Sequence, residues 1–217
     1  IMSACGTLSS CADMGVVKAI PVAPNTQHMY AEGDAEEVVP VMLPEIRMLV
    51  ATTGPSIRAA SYLLLDARTG QHLAGKSFET PRAVASTQKL VTALVVLDAG
   101  NLDKRVQVQA SDVAVEPTRL GIRPGEVYTR RELLYAFLVK SANDVANVLA
   151  RDNAGSIGAF AAKMNAKMRS LGCSNSNFKN PHGLTVGGQY STARDMARVA
   201  MAAYRNRTIR DVAVSYT

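Results

Sequence analysis

Ala85-Ser86-Thr87-Gln88-Lys89-Leu90-Val91-Thr92-Ala93-Leu94-Val95-Val96-Leu97 joins a polar head to an apolar body. Placed on a helix, Leu90, Val91, Ala93, Leu94, Val95, Val96 and Leu97 cover nearly every direction. A helix apolar all round is a buried one. Gly100 supplies its stop. Ser86 and Lys89 are three residues apart, so both side chains lie on one face. Ser86 falls at the helix N-terminus, where free N–H groups and the dipole favour negative charge. Burial of Lys89 disfavours its ammonium, so the amine can take a proton from the serine. A hydroxyl is a poor nucleophile without such a base. Taken alone, serine-x-x-lysine has a plainer account: a helix cap and a surface charge. The apolar helix behind it argues for the catalytic one.

Upstream, 59–66 is rich in leucine and predicts a strand. Arg68-Thr69-Gly70 is turn chemistry, and 71–77 predicts the returning strand of a hairpin. Residues 12 to about 55 carry Pro21, Pro24, Pro40 and Pro44 and show no clean period. Residues 1–55 are expected to be a tether that begins with a signal remnant, and 56–217 the folded domain. Downstream, 105–109 and 126–128 are short strand candidates. Thr129 and Glu132 form a capping box for a helix reaching about residue 139. Further helices are predicted over 144–150, from the Ser156 cap to 171, and from the Thr192 cap to about 204. The result is α/β: one hairpin, then a block of helices. Two strands and one buried helix do not stand alone, so the sheet is expected to be incomplete. Ser141-Ala142-Asn143 sits between two predicted helices, on a loop able to face Ser86. Its hydroxyl can relay a proton, and its amide can orient a substrate and Lys89. By itself it reads more simply as a helix-cap turn.

Together these residues resemble a family. The Ala85–Leu94 stretch is similar to the active-site helix of the low-molecular-mass penicillin-binding D-alanyl-D-alanine carboxypeptidases, serine peptidase family S11. Gly125-Glu126-Val127-Tyr128-Thr129 with Leu133-Leu134-Tyr135-Ala136, Ser141-Ala142-Asn143-Asp144, Asn180-Pro181-His182-Gly183-Leu184 and Ser191-Thr192-Ala193-Arg194-Asp195 resemble its further signatures, in the family's order. The resemblance implies a serine β-lactamase/D,D-peptidase-like fold, an antiparallel sheet flanked by a helical block. It implies acylation of Ser86 by peptidoglycan stem peptides ending in D-Ala-D-Ala, with Lys89 as base. Ser141 would be catalytic as well, and Asn143 would bind substrate. The Ser86 N–H would be half of an oxyanion hole, and β-lactams would be covalent inhibitors. The family's lysine-threonine-glycine motif is absent, and no lysine follows Lys179. The chain is therefore expected to be a fragment cut at both ends, lacking the closing strands and nearly inactive.

Other classes are weighed on residues. A class A β-lactamase needs a glutamate after the second motif, and none follows Glu132. A truncated protein that only binds peptidoglycan is the non-enzymatic alternative, and a D,D-endopeptidase the alternative within the family. His182 forms no ligand spacing with His28 or His72, so no metal or cofactor is expected; it is expected at the site rim, holding its loop. The net charge of +6 is scattered and tryptophan is absent, which argues against nucleic acid. No run approaches the roughly 18 apolar residues of a membrane span. Ile1-Met2-Ser3-Ala4-Cys5 and Leu8-Ser9-Ser10-Cys11 each look like a lipobox, so Cys5, slightly preferred, and Cys11 are lipidation candidates. They predict a periplasmic or envelope location with a lipid anchor. Cys173 is read as a small hydrophobe.

Overall fold

The computed structural model describes Arg47–Met48 and residues 56–214. Cys5 and Cys11 lie outside the described residues. Strand β2 (Tyr62–Leu65) and strand β3 (Gln71–Lys76) form the expected antiparallel hairpin, with a register shift between Leu64 and Leu65. Asp66 closes its turn. Its Oδ1 accepts from the N–H groups of Arg68 at 2.8 Å and Thr69 at 2.9 Å, the Asx arrangement that lets a short side chain replace a backbone partner. A two-residue strand, β1 (Arg47–Met48), pairs parallel with β3 and sets the order β1-β3-β2. It lies within the stretch expected to be a tether. β2 has no partner on its outer edge among the described residues. Strands β4 (Arg105–Gln107) and β5 (Val127–Thr129) make a separate antiparallel pair.

The polar head of the central segment differs from expectation. Ala85–Gln88 is a 3₁₀ turn, and helix α1 begins only at Lys89 (Lys89–Asp98). Helix α2 (Ala110–Val113) follows β4. Helices α3 (Arg130–Lys140) and α4 (Asn143–Ala154) form a hairpin, followed by α5 (Ile157–Ser170), α6 (Ala193–Arg205) and α7 (Arg207–Val214). The caps are those the residue types dictate. Thr129 and Glu132 satisfy each other's backbone N–H groups, and the side chains of Ser156 and Thr192 each accept from the residue three on.

α1 is the axis of the molecule. It packs against α3, α4, α5 and α6, while α6 also reaches β2. Val91 and Val96 are fully buried and join Leu133, Phe137, Phe160 and Met164 in one core. Burying each such side chain contributes about 1.5–3 kcal/mol, so the helix that carries the polar head is held firmly. Cys173 is buried as well, donates to the Asp195 carbonyl at 3.5 Å, and has its thiol pushed up to about 12 by burial.

Candidate active site

The 3₁₀ turn decides how Ser86 and Lys89 meet. With three residues per turn, side chains at i and i+3 eclipse one another. Lys89 Nζ accordingly lies 3.1 Å from Ser86 Oγ. Ser86 is exposed and Lys89 is 5% exposed, so the hydroxyl faces solvent and the amine lies beneath it. Ala85 holds φ at +47°, a region that costs a non-glycine residue about 1–3 kcal/mol and persists only when its surroundings impose it. The Ser86 N–H, near the start of the turn, donates to no acceptor among the described residues. It is one of the free donors every helix start leaves.

The turn between α3 and α4 comes to the same amine. Ser141 caps α3 in the left-handed region at φ +54°. That conformation aims its carbonyl, 2.7 Å away, and its Oγ, 3.0 Å away, at Lys89 Nζ. Asn143 opens α4 and places Oδ1 2.8 Å from the same nitrogen. Its amide orientation is set from the other side. Nδ2 donates to the carbonyls of Glu116 and Pro117, each at 3.0 Å, and the Asn143 N–H donates to that of Thr118 at 2.7 Å. Asp144 extends the anchor, accepting from the N–H groups of Leu120 and Gly121 at 2.9 Å.

Lys89 thus faces four oxygens, and they can serve either of its protonation states. The Ser141 carbonyl and Asn143 Oδ1 only accept. A neutral amine has two N–H donors for them and one lone pair left, which faces the hydroxyls of Ser86 and Ser141. An ammonium has three N–H groups and nothing to receive a hydroxyl proton. Burial lowers the Lys89 pKa to about 8. About a tenth of the molecules then hold the free amine near neutral pH.

His182 is 9% exposed, on the loop beside Lys89. Its Nδ1 accepts from the Leu184 N–H at 3.2 Å, which ties the loop and leaves the ring proton on Nε2. Burial, then the charge of Lys89, lowers its pKa to about 4. Ser86, Lys89, Ser141 and Asn143 meet at one nitrogen, with His182 at the edge. Sequence reasoning missed the Glu116–Thr118 carbonyls that orient Asn143. It also missed Gln88 and Thr92, buried on the polar turn and the first turn of α1. A polar glutamine and threonine on a helix read as buried were the available signal.

A family model of the D-alanyl-D-alanine carboxypeptidases matches residues 48–216. A D-alanyl-D-alanine carboxypeptidase, DacB2, of Mycobacterium tuberculosis is 35% identical over 179 residues, 82% of this chain and 57% of that protein. A D-alanyl-D-alanine endopeptidase of Escherichia coli is 36% identical over 159 residues, 70% of this chain and 50% of that protein. The crystal structure of a D-alanyl-D-alanine carboxypeptidase from Mycobacterium tuberculosis superposes with a TM-score of 0.70 at 34% identity, covering 81% of this chain and 64% of that one. Penicillin-binding protein 6B of Escherichia coli gives a TM-score of 0.69 at 28% identity, covering 78% and 57%. The chain therefore spans between half and two thirds of the length of these relatives. Its matched residues include the serine-lysine turn, the Ser141–Asn143 turn and the loop at His182, and on these grounds it belongs to the D-alanyl-D-alanine carboxypeptidase family of serine peptidases.

Proposed function

We propose that this chain carries the nucleophile and base of a serine D-Ala-D-Ala carboxypeptidase acting on peptidoglycan stem peptides. One observation carries the reading: the buried Lys89 Nζ lies 3.1 Å from Ser86 Oγ, and in its neutral form it has a carbonyl-type acceptor for each N–H and a lone pair left for the Ser86 proton. Ser86 Oγ bonds to the carbonyl carbon of the penultimate D-alanine as its proton passes to Lys89. The carbonyl electrons move onto oxygen, where the Ser86 N–H receives them. Collapse breaks the C–N bond. The leaving amine of the terminal D-alanine takes the proton back from Lys89 through Ser141 Oγ, 3.0 Å from the lysine nitrogen. Water then attacks the ester carbonyl and gives its proton to Lys89; collapse breaks the bond to Ser86 Oγ, which takes that proton back and leaves the shortened peptide as an acid. Asn143 holds Lys89, and with both of its amide hydrogens taken by the Glu116 and Pro117 carbonyls, any contact it makes with substrate falls to its Oδ1. β-Lactams acylate the same hydroxyl and act as covalent inhibitors.

The chain holds no lysine-threonine-glycine. With that motif's carboxylate-binding lysine missing, these 217 residues alone are proposed to turn over substrate poorly. The whole protein is the reagent for the test. Incubated with a pentapeptide ending in D-Ala-D-Ala, it releases free D-alanine, and Ser86→Ala protein releases none. Release by neither contradicts the proposal. The endopeptidase relative supports a second reading of the same site. Cross-linked dimeric muropeptides separate the two, since an endopeptidase opens the dimer and a carboxypeptidase leaves it intact. A lipid on Cys5 or Cys11 at the cell envelope completes the proposal. Palmitate incorporation lost on substitution of one cysteine tests it.

A further inference from the structure

Gln88 and Thr92 do none of the chemistry above, yet each is fully buried. They stand one turn apart and face the same neighbour. Gln88 Nε2 donates to the Asn180 carbonyl at 2.6 Å and lies 3.2 Å from Asn180 Oδ1. Thr92 Oγ1 donates to the Pro181 carbonyl at 2.7 Å. Asn180 in turn closes its own loop. Its Oδ1 accepts from the Gly183 N–H at 2.8 Å, and its Nδ2 donates to the Leu184 carbonyl at 2.7 Å.

The loop so held leans back on the nucleophile. Gly183 has φ of +96°, and a methyl group built on it would sit 2.1 Å from the Ala85 carbonyl oxygen and 3.0 Å from the Ser86 nitrogen. Only a bare glycine backbone fits against that peptide. The Ala85–Ser86 peptide is therefore gripped from the loop side, at the point where Ala85 adopts its unfavourable φ. The Gln88 amide also carries a penalty. Its Oε1 is buried with no hydrogen-bond partner. A methionine would fill the same space without that unpaired acceptor. What only the amide supplies is the pair of N–H donors toward Asn180.

We propose that Gln88 and Thr92 are positioning residues that, through the Asn180–Leu184 loop, fix the Ala85–Ser86 peptide so that the Ser86 N–H meets the developing oxyanion. The proposal rests on Ser86 being the nucleophile. An oxyanion donor works only at about 2.7–3.1 Å from the charged oxygen. A misplacement of about 1 Å reduces the rate about a hundredfold.

The test compares full-length wild-type protein with the Gln88→Met, Thr92→Val and Thr92→Ser variants. Saturation kinetics with a fluorescent penicillin separate the dissociation constant of the first complex from the acylation rate constant. A depsipeptide ester and its thionoester, with C=S in place of C=O, report on the oxyanion donor, because sulfur accepts hydrogen bonds poorly. Gln88→Met and Thr92→Val should lower the acylation rate constant about 10- to 100-fold and leave the dissociation constant within about twofold. They should also narrow the preference for oxygen over sulfur. Thr92→Ser, which keeps the hydroxyl, should stay within about threefold of wild type. Thr92→Val hardly changes the volume, and thermal unfolding measured alongside shows that it is folded. Wild-type acylation rates in folded Met and Val variants overturn the clamp, as does an equal loss with oxygen and sulfur substrates. Absence of acylation in the wild type overturns the nucleophile assignment and the clamp with it.

Discussion

The side-chain nitrogen of Lys89 lies 2.8 Å from Asn143 Oδ1, and the Asn143 amide is locked in that orientation by two carbonyls behind it. A base three residues from its nucleophile is thus held from across the molecule, by a residue 54 positions away.

That relationship predicts a pH profile. Acylation of the free protein uses the neutral amine, so kcat/KM should rise with pH to a plateau, with a midpoint at about 8. Lys89→Arg installs a cation that does not give up its proton. It should abolish the rising limb and lower the rate by about 10²–10⁴-fold. A stopped-flow series from pH 5 to pH 10 measures both, each pH being an experimental setting of about one unit's spacing.

Asn143 can be tested from both of its sides. Asn143→Ala strands the Glu116 and Pro117 carbonyls and should destabilise the protein by about 1–3 kcal/mol. Asn143→Asp puts a carboxylate beside Lys89. An opposite charge at that distance favours the ammonium, so the midpoint of the rate profile should move above its wild-type value. Denaturant unfolding and the same stopped-flow series check the two outcomes.

Much of this arrangement was legible in the residues. The serine-lysine spacing, the apolar body of α1, and the caps at Thr129, Ser156 and Thr192 are local signals, and the structure shows each in place. The 3₁₀ form of the turn was not legible, because Ala85–Gln88 has no residue that excludes an α-helical start. α2 has only four residues, too few for a period, and its Gln109–Asp112 box is the sole signal. α7 follows α6 after Asn206, with no proline or glycine to mark a second helix. The hold of Gln88 on Asn180 spans 92 positions, and no local pattern encodes such a contact.

Gly183→Ala should be among the most damaging single substitutions. The added methyl meets backbone, not a side-chain end that can swing away, and φ of +96° is itself unfavourable for alanine. The combined effect is about 2–4 kcal/mol. For a domain of this size that lowers Tm by roughly 5–15 °C. Calorimetry of the full-length variant gives the shift.

His182 sets the acid limit. In the unfolded chain it takes a proton at about 6.5, in the folded chain only at about 4. Between those values the unfolded form binds more protons, so stability falls as pH drops through this window. The loss attributable to His182 is about 3 kcal/mol at most. His182→Asn keeps an acceptor for the Leu184 N–H and cannot be protonated. It should flatten this part of the stability profile, as urea midpoints at pH 4 through pH 7, about one unit apart, would show.

The most direct measurement is the mass of the full-length protein after exposure to benzylpenicillin, followed by peptide mapping of the adduct. The account predicts one penicilloyl group on Ser86, formed far more slowly in Lys89→Ala and absent from Ser86→Ala. An adduct on another residue, or undiminished acylation of the Ser86→Ala protein, would contradict it.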